Sequence, residues 1–158
     1  MTEPQVIILK ATAEDAREIL ALQKLAFRDE AELYNDWSIP PLTQTLEEIQ
    51  KQFEDHAFLK AMLGSQLVGS VRARLEEGTC HIGRLMVHPE WQRCGIGTRL
   101  MKEIEMRFPT VQRFEVFTGS KSEANIRLYQ RLGYEAFVSL AVSPQMKLVY
   151  LQKRQATQ

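Results

Sequence analysis

The amino-acid sequence predicts one α/β domain, in which seven strands form a sheet flanked by about four helices. Three observations support this fold class. The 158 residues fit one domain. The chain is 44% hydrophobic and 25% charged, which is typical of a folded globular protein and not of a disordered one. Segments with strand character alternate with segments of helical spacing. We therefore expect a single domain over residues 1–158, with its core at about 5–152.

The balance of charge argues against a nucleic-acid or membrane partner. Lys plus Arg and Asp plus Glu each number 20, so no overall field attracts a polyanion. Cys80 and Cys94 have no second pair of metal ligands near them, which predicts no metal site. The first residues lack a targeting pattern, and no run approaches ~18 apolar residues. We expect a cytoplasmic protein with reduced thiols.

The first third of the chain predicts a strand and two helices. Val6–Leu9 is a short apolar run, and apolar residues at helical spacing then predict a helix from the N-cap Thr12 to about Arg28. In residues 29–42 the apolar residues follow no helical or strand period, and two adjacent prolines are present, which indicates an ordered loop. A capping box at residues 45–48 begins a second helix that ends near Phe53.

The rest of the chain predicts six strands and two helices. Turn residues separate three strands of an antiparallel meander. Two helices follow. Pro109 stops the first, and the second begins with a capping box at residues 120–123 and closes at Gly133. The strands are Phe58–Leu63, Leu67–Leu75, Cys80–Val87, Phe114–Thr118, Tyr134–Ala141 and Met146–Leu151, and the first of these helices covers residues 96–108.

A glycine-bearing loop joins the strand that ends at Val87 to the helix at residue 96. The first amides of a helix have no internal partner and carry the positive end of its dipole, so they attract phosphate. Gly95 and Gly97 place no side chain in front of these amides, and Arg93 adds a charge. Leu100 stands where a dinucleotide fingerprint needs a third glycine, and no P-loop run is present. A tight turn alone would also explain two glycines.

Two separated motifs resemble those of the GNAT superfamily of N-acetyltransferases. Residues 92–97 match its Arg/Gln-x-x-Gly-x-Gly/Ala signature, and Val87–Pro89 resembles the Val-x-Pro before it. Residues 125–134 resemble a second family segment with Asn, Leu-Tyr and Gly followed by an aromatic residue. The resemblance implies a mixed, mostly antiparallel sheet with a V-shaped split after the strand that ends at Val87, in which acetyl-coenzyme A binds.

The same resemblance implies the function and the cofactor contacts. An N-acetyltransferase moves an acetyl group from acetyl-coenzyme A, as co-substrate and without a metal, to a primary amine. A non-catalytic coenzyme A sensor on the same fold and a protein that binds another nucleotide diphosphate are the alternatives. The implied contacts are main-chain groups of Leu85, Met86 and Val87, amides of Gln92, Arg93, Cys94, Gly95, Ile96, Gly97 and Thr98, and Asn125.

Acyl transfer to an amine needs a base, an oxyanion donor and an acid for the leaving thiolate. A backbone amide near Met86, freed by the split, is the expected oxyanion donor. Tyr129 lies four residues after Asn125 on one helix face, and its phenol, with a usual pKa of ~10, can protonate a thiolate. Tyr129 is therefore the predicted acid, unless it packs in the core with its hydroxyl on a carbonyl.

His81 is the predicted base, because some relatives place a Glu or His on this strand. Strict alternation would put His81 on the same face as Leu85 and Val87. A surface role for a lone histidine remains an alternative, and the other candidates for the base are Glu32, Asp36, Glu115 and a water chain.

The acceptor-binding residues are predicted in the acidic segment after the first helix. Carboxylates beside aromatic rings suit a cationic amine, which points to Glu32, Tyr34 and Trp37. A solvated acidic loop would look the same, and Arg72, Arg74 and Arg84 would instead favour an anionic acceptor if they line the cleft. The expected partner is a small-molecule or peptide amine, with no nucleic acid or membrane, and a homodimer is possible.

Overall fold

The computed structural model describes residues 5–155, so the expectation about a targeting segment at residues 1–4 lies outside it. Short 3-10 turns at Ala13–Asp15 and Pro89–Trp91 precede α1 and α5. The elements are β1 (Val6–Lys10), α1 (Ala16–Ala26), α2 (Arg28–Tyr34), α3 (Pro40–Thr43), α4 (Leu46–Gln52), β2 (Ala57–Leu63), β3 (Gln66–Glu76), β4 (Thr79–Val87), α5 (Ile96–Met106), β5 (Arg113–Gly119), α6 (Glu123–Arg131), β6 (Glu135–Ala141) and β7 (Lys147–Arg154).

All seven strands form one sheet in the order β1-β2-β3-β4-β5-β7-β6. Neighbouring strands are antiparallel except β4 and β5, which run parallel. The prediction of a mixed, mostly antiparallel sheet is therefore confirmed. Within residues 5–155, no helix combines the length and apolar character needed to cross a membrane.

Helices cover both faces of the sheet. On one face α5 places Leu100, Met101 and Ile104 against inward side chains of β2 to β5, and these three residues are fully buried. On the other face α1 packs Ile19 and Leu22 against Phe58 and Met86, among others. Apolar side chains at helical spacing on α1 and α5 form these contacts, so the predicted stripes do cover the sheet.

The sheet opens between β4 and β5. Their pairing covers only three residues of each strand, from Thr79 with Arg113 to His81 with Glu115. Beyond that point β5 continues along β7, whereas β4 continues along β3. One edge of β4 therefore has no strand partner from Ile82 onward, and the predicted V-shaped split is confirmed.

A bulge interrupts the alternation of β4. The register with β3 shifts between residues 83 and 86, and Arg84 has a left-handed backbone with φ +49°. Ile82 therefore faces the same core as Leu85 and Val87, and His81 faces the other side. The alternation argument that put His81 on the face of Leu85 and Val87 is wrong, because the bulge adds one residue between them.

The predicted loop at residues 29–42 is wrong for most of its length, because α2 and α3 lie there. The first helix ends at Ala26, and α2 follows almost directly. Phe27, Ala31 and Tyr34 are spaced at i, i+4 and i+7, which is one helical face, and Ala31 and Tyr34 are buried. Asn35 ends α2 in a left-handed conformation with φ +50°.

One of the two predicted capping boxes is present. Thr45 accepts from the Glu48 amide at 3.2 Å, and the Glu48 carboxylate accepts from the Thr45 amide at 2.9 Å. The box at Ser120 is wrong, because β5 runs to Gly119 and α6 begins only at residue 123, without a side-chain cap. Gly133, with φ +99°, follows α6 in the expected left-handed conformation.

Tyr34 ties α2 to the turn after β5. Its side chain is buried, and its hydroxyl accepts a hydrogen bond from the Lys121 amide at 2.7 Å. The ring lies directly against the backbone of Gly119, where an added β-carbon would overlap the phenol. This contact fixes the position of α2 beside the open end of the split.

We expect Gly119→Ala to lower the free energy of unfolding by about 1–3 kcal/mol, because the new methyl group collides with Tyr34. Gly83→Ala is the matched control, since a β-carbon there meets no atom within 4 Å. Urea unfolding of both variants measures the difference. Equal stability of the two variants would show that Tyr34 moves away without cost.

Candidate functional site

The loop before α5 presents a row of main-chain amides without partners. The Arg99 amide donates to the Gly95 carbonyl at 3.1 Å. Within residues 5–155, no main-chain acceptor takes the amides of residues 92–98. These amides also lie at the positive end of the α5 dipole. They form an anion-binding surface, which we call the amide cradle (residues 92–98).

The backbone of the amide cradle depends on two left-handed residues. Arg93 has φ +64°, and Gly95, the N-cap of α5, has φ +81°. Residues of alternating handedness turn successive amides toward one side, which is the geometry of anion-binding nests. A β-carbon added to Gly95 would meet no atom within 4 Å, so its glycine is required by the backbone angle.

The free edge of β4 leads into the amide cradle. The His88 amide donates to the Val68 carbonyl of the β3 side at 2.8 Å. Main-chain groups alternate in direction along a strand, so those of Met86 also face β3. Those of Leu85 and Val87 face the opening instead, which makes them available to an extended ligand.

A cavity of about 810 Å³, the cofactor cavity, joins the free edge of β4 to the amide cradle. Its wall contains every residue predicted to contact the cofactor except Cys94, which is exposed beside it. The left-handed Gly95 and the unpaired amides fit a diphosphate, and the open strand edge fits a polar chain attached to it. The predicted contact residues that line this cavity are Leu85, Met86, Val87, Gln92, Arg93, Gly95, Ile96, Gly97, Thr98 and Asn125.

Trp91 is a cavity residue to which sequence reasoning gave no role. Its side chain lines the cofactor cavity, and its indole Nε1 is buried without a hydrogen-bond partner within residues 5–155. A buried indole N–H usually has an acceptor. A polar group of a bound ligand would supply one. Its position in the 3-10 turn just before the amide cradle is the signal that could have identified it.

A second cavity of about 410 Å³, the acceptor cavity, lies on the other side of the opening. Phe27, Glu30, Leu85 and Asn125 line both cavities and so mark their junction. The rest of the acceptor cavity is mostly apolar and comes from α3 and the residues before it, β4, β5, α6, the segment between β6 and β7, and the start of β7. A reacting group held at the junction can therefore meet molecules from both sides.

Glu30 is the ionisable group at this junction. Burial raises the pKa of its carboxyl, while a weak hydrogen bond from Ser122 at 3.5 Å and the charge of Arg84 act in the opposite direction. Its side chain lies on the inner face of α2 between Phe27 and Tyr34. Sequence reasoning predicted Glu32 in this acidic segment instead of Glu30, because the helical period of α2 was missed.

Tyr129 lines the acceptor cavity near Glu30. Its ring packs in the core with its centroid 5.9 Å from that of Tyr134, and the residue is only 6% exposed. Its hydroxyl forms no hydrogen bond with residues 5–155, so the alternative of a hydroxyl bound to a carbonyl is not observed. Burial raises the pKa of Tyr129, and the nearby charge of Glu30 raises it further. The phenol therefore stays protonated at neutral pH.

His81 lies at the closed end of the split and lines neither cavity. Its Nδ1 is 3.2 Å from Glu115, and its Nε2 is 3.7 Å from Glu76. Glu115 also accepts from Arg113 at 2.7 Å. The structure therefore places His81 and Glu115 in an ion-pair cluster away from the junction.

The residues predicted to bind the acceptor are not brought together. Glu32 and Trp37 are exposed and line neither cavity, and Tyr34 has the structural role described above. Asp36 and Arg84 do line the acceptor cavity. Arg72 is hydrogen-bonded to Gln52, and Arg74 pairs with Glu76 at 2.9 Å on the surface.

Neither cysteine forms a disulfide, and burial raises the pKa of the Cys80 thiol to about 12. Within residues 5–155, no three His, Cys, Asp or Glu side chains form a group that could hold a metal ion.

Comparison with known proteins gives a family match over most of the chain. Residues 17–134 match the model of the Acetyltransferase (GNAT) family. The UPF0157 protein YqkA of Bacillus subtilis (strain 168) is 30% identical over 120 residues, which are 76% of this chain. The chain spans about a third, 34%, of the length of that relative.

Solved structures share the fold at low sequence identity. The PaiA N-acetyltransferase from Thermoplasma acidophilum, in complex with coenzyme A, superposes with a TM-score of 0.78 at 16% identity, covering 96% of this chain and 99% of that one. The ribosomal-protein-S18-alanine N-acetyltransferase from Escherichia coli superposes with a TM-score of 0.79 at 13% identity, covering 98% of this chain and 96% of that one. At these identities the likeness establishes the fold alone.

We expect Gly95→Ala to weaken the binding of coenzyme A about tenfold, because alanine resists φ +81° and the amides of the cradle rotate away. Binding of pantetheine, which lacks the diphosphate, should change little. Isothermal titration calorimetry with both ligands measures the difference.

Gly64→Ala is the matched control for this variant. Gly64 has φ +59° and open space around its β-carbon position, but lies in the β2–β3 turn away from both cavities. The backbone cost is therefore comparable. If Gly64→Ala weakens the binding of coenzyme A as much as Gly95→Ala does, the amide cradle is not the binding surface.

Proposed function

The chain belongs to the acetyltransferase (GNAT) family, and we propose that it transfers an acetyl group from acetyl-coenzyme A to a primary amine. The observation that carries this proposal is the junction of the two cavities. There, the free edge of β4 from one side meets Glu30 from the other, and Tyr129 lines the acceptor cavity near Glu30. When bound, acetyl-coenzyme A supplies an acetyl group activated as a thioester.

The chain orients this co-substrate through its main chain. The amide cradle takes the diphosphate, and the main-chain groups of Leu85 and Val87 bind the pantetheine arm as an added strand would. Asn125 lies at the junction, where its amide also donates to Thr118 at 3.4 Å. This arrangement directs the thioester toward the acceptor cavity.

Glu30 is the proposed base, in place of His81. Its carboxylate faces the junction, whereas the His81 imidazole pairs with Glu115 outside both cavities. An amine enters as an ammonium and must lose a proton before it attacks. Because burial raises the pKa of Glu30 toward that of the proton donor, the carboxylate is a better proton acceptor than an exposed glutamate.

An amide of β4 is the proposed oxyanion donor. The Met86 amide faces β3 and is already used in the sheet, so the Leu85 or Val87 amide takes this role. Such a donor stabilises the thioester oxygen as it gains negative charge. The C–N bond forms and the C–S bond breaks. The ammonium loses two protons on becoming an amide: one passes to Glu30, and the second replaces the proton that the departing thiolate takes from its acid.

Tyr129 is the proposed acid. Burial raises its pKa, and the negative charge of Glu30 raises it further. Once Glu30 has taken the proton from the amine, that charge is gone and the phenol becomes a stronger acid. Tyr129 therefore gives its proton most readily after the amine has been activated, which is when the thiolate leaves.

The proposed function is tested by measuring free thiol released from acetyl-coenzyme A with a panel of amines, with mass spectrometry of the products. Tyr129→Phe should reduce kcat about 10²-fold or more, because the thiolate loses its proton donor. The affinity for coenzyme A and the stability should stay the same, since the hydroxyl makes no hydrogen bond within residues 5–155. Tight cofactor binding without thiol release from any amine would favour a non-catalytic coenzyme A sensor.

We expect Glu30→Gln to reduce kcat/KM by about 10²-fold or more and to change its pH dependence. The reactive form of Glu30 is the carboxylate, so wild-type kcat/KM rises with pH through the pKa of Glu30, which lies above its ordinary value. Arg84 is the charged side chain that lowers the pKa of Glu30, and Tyr129 is the titratable side chain whose pKa Glu30 raises. Glutamine removes this rise, and a pH profile of thiol release measures it.

Glu32→Gln is the comparison for this experiment. Glu32 lies on the same helix but is exposed and outside both cavities. If Glu32→Gln removes the rise in rate and Glu30→Gln does not, Glu30 is not the base and Glu32, one of the alternative bases named from the sequence, is.

A further inference from the structure

Arg84 is held in an unfavourable conformation beside the acceptor cavity. It is the extra residue of the β4 bulge, and its backbone angle of +49° is one that non-glycine residues seldom adopt. The bulge directs its side chain into the acceptor cavity, whereas the cofactor cavity does not include Arg84.

The guanidinium of Arg84 lacks the partners that other buried cations have. Its Nε is buried and has no hydrogen-bond partner within residues 5–155. By contrast, Arg113 binds both Glu115 and Gln152, and Arg72 binds Gln52. Burial lowers the pKa of Arg84, but an arginine keeps its charge. Arg84 as a whole is half-buried, so its guanidinium is only partly solvated and would be stabilised by an anionic ligand in the cavity that it lines.

Glu30 does not neutralise Arg84 directly. Each side chain shifts the pKa of the other through its charge, yet the two do not form an ion pair. The acceptor cavity thus holds opposite charges on separate parts of its wall, with Glu30 at the junction and Arg84 on β4. A second carboxylate on the wall, Asp36, accepts hydrogen bonds from Ser38. A molecule with an ammonium and an anionic group can bridge Glu30 and Arg84.

The remaining wall limits the size and character of such a molecule. A cavity of about 410 Å³ is in the range of small-molecule sites. Its other side chains are mostly apolar and suit a hydrocarbon body between the two charged groups. They include Ile39, Pro41, Phe117, Met146 and Leu148.

We propose that the acceptor is a small amino-acid-like molecule, whose amine meets Glu30 and whose carboxylate is bound by Arg84. This inference rests on the proposed function, because it assigns the acceptor of the same reaction. The Arg84 guanidinium can bind a carboxylate through two parallel hydrogen bonds. It orients the amine toward the junction and rejects amines that lack an anion.

Binding to the protein saturated with coenzyme A tests the proposal without depending on turnover. The probes are amino acids with apolar side chains, their carboxamides, and the corresponding aminophosphonates. We expect carboxylates to bind about tenfold or more tightly than the carboxamides, since the amide cannot form a charged pair with Arg84. Thiol release from acetyl-coenzyme A should show the same preference in kcat/KM. A preference for aminophosphonates over carboxylates would overturn the assignment of a carboxylate.

Arg84→Gln should remove this preference, because it weakens the binding of carboxylates about tenfold or more and leaves the binding of carboxamides unchanged. Arg84→Lys keeps the positive charge but loses the paired N–H donors of the guanidinium, so it should retain part of the preference for carboxylates. The control is Arg74→Gln on the neighbouring strand, where the arginine pairs with Glu76 on the surface. Unchanged affinity for coenzyme A shows that each variant is folded.

Two results would contradict the proposal. One is equal binding of carboxylates and carboxamides to the wild-type protein. The other is an equal loss of binding affinity for carboxylates and carboxamides in Arg84→Gln. The proposed function fails separately: a clear carboxylate preference in binding, with no thiol release from any amine, would refute acetyl transfer while supporting the ligand class.

Discussion

The loss of strand pairing along one edge of β4 is the constraint on which the rest of the structure depends. After His81, β4 keeps its bonds to β3 but has no neighbour on the other side. Backbone groups inside a protein need partners, so this edge favours an extended polar ligand that continues the sheet. The same opening brings α2 and α6 to opposite sides of one junction. Without it, Glu30 and Tyr129 would lie on separate faces of a closed sheet.

Glu30 and Tyr129 both line the acceptor cavity and are linked by charge. Burial raises the pKa of each, and the charge of Glu30 raises the pKa of Tyr129 further. In the proposed reaction, a proton gained by Glu30 would lower the pKa of Tyr129, so the leaving group would be protonated after the nucleophile is activated. Tyr34 supports this arrangement because its hydrogen bond to the Lys121 amide fixes α2 next to α6.

Local sequence signals predicted most of the fold and the cofactor side of the site. The amide cradle could be predicted because its chemistry is confined to one strand end, one loop and one helix start. The acceptor side could not, for two physical reasons. Helix α2 covers only seven residues, so its period was hidden and Glu30 was not separated from Glu32. The bulge at Arg84 depends on pairing with β3, which leaves no pattern within β4 itself, and it reverses the face on which His81 was expected.

The amide cradle binds through atoms that every amino acid except proline possesses. Substitution of a side chain such as Cys94 therefore leaves its donors in place, whereas Gly95 is constrained by its backbone angle. On the proposed acceptor side, recognition would depend on individual side chains, so one codon change at Arg84 or Glu30 is expected to alter it. Under the proposed function, selection could therefore change which molecules are modified while the main-chain binding of the co-substrate is conserved.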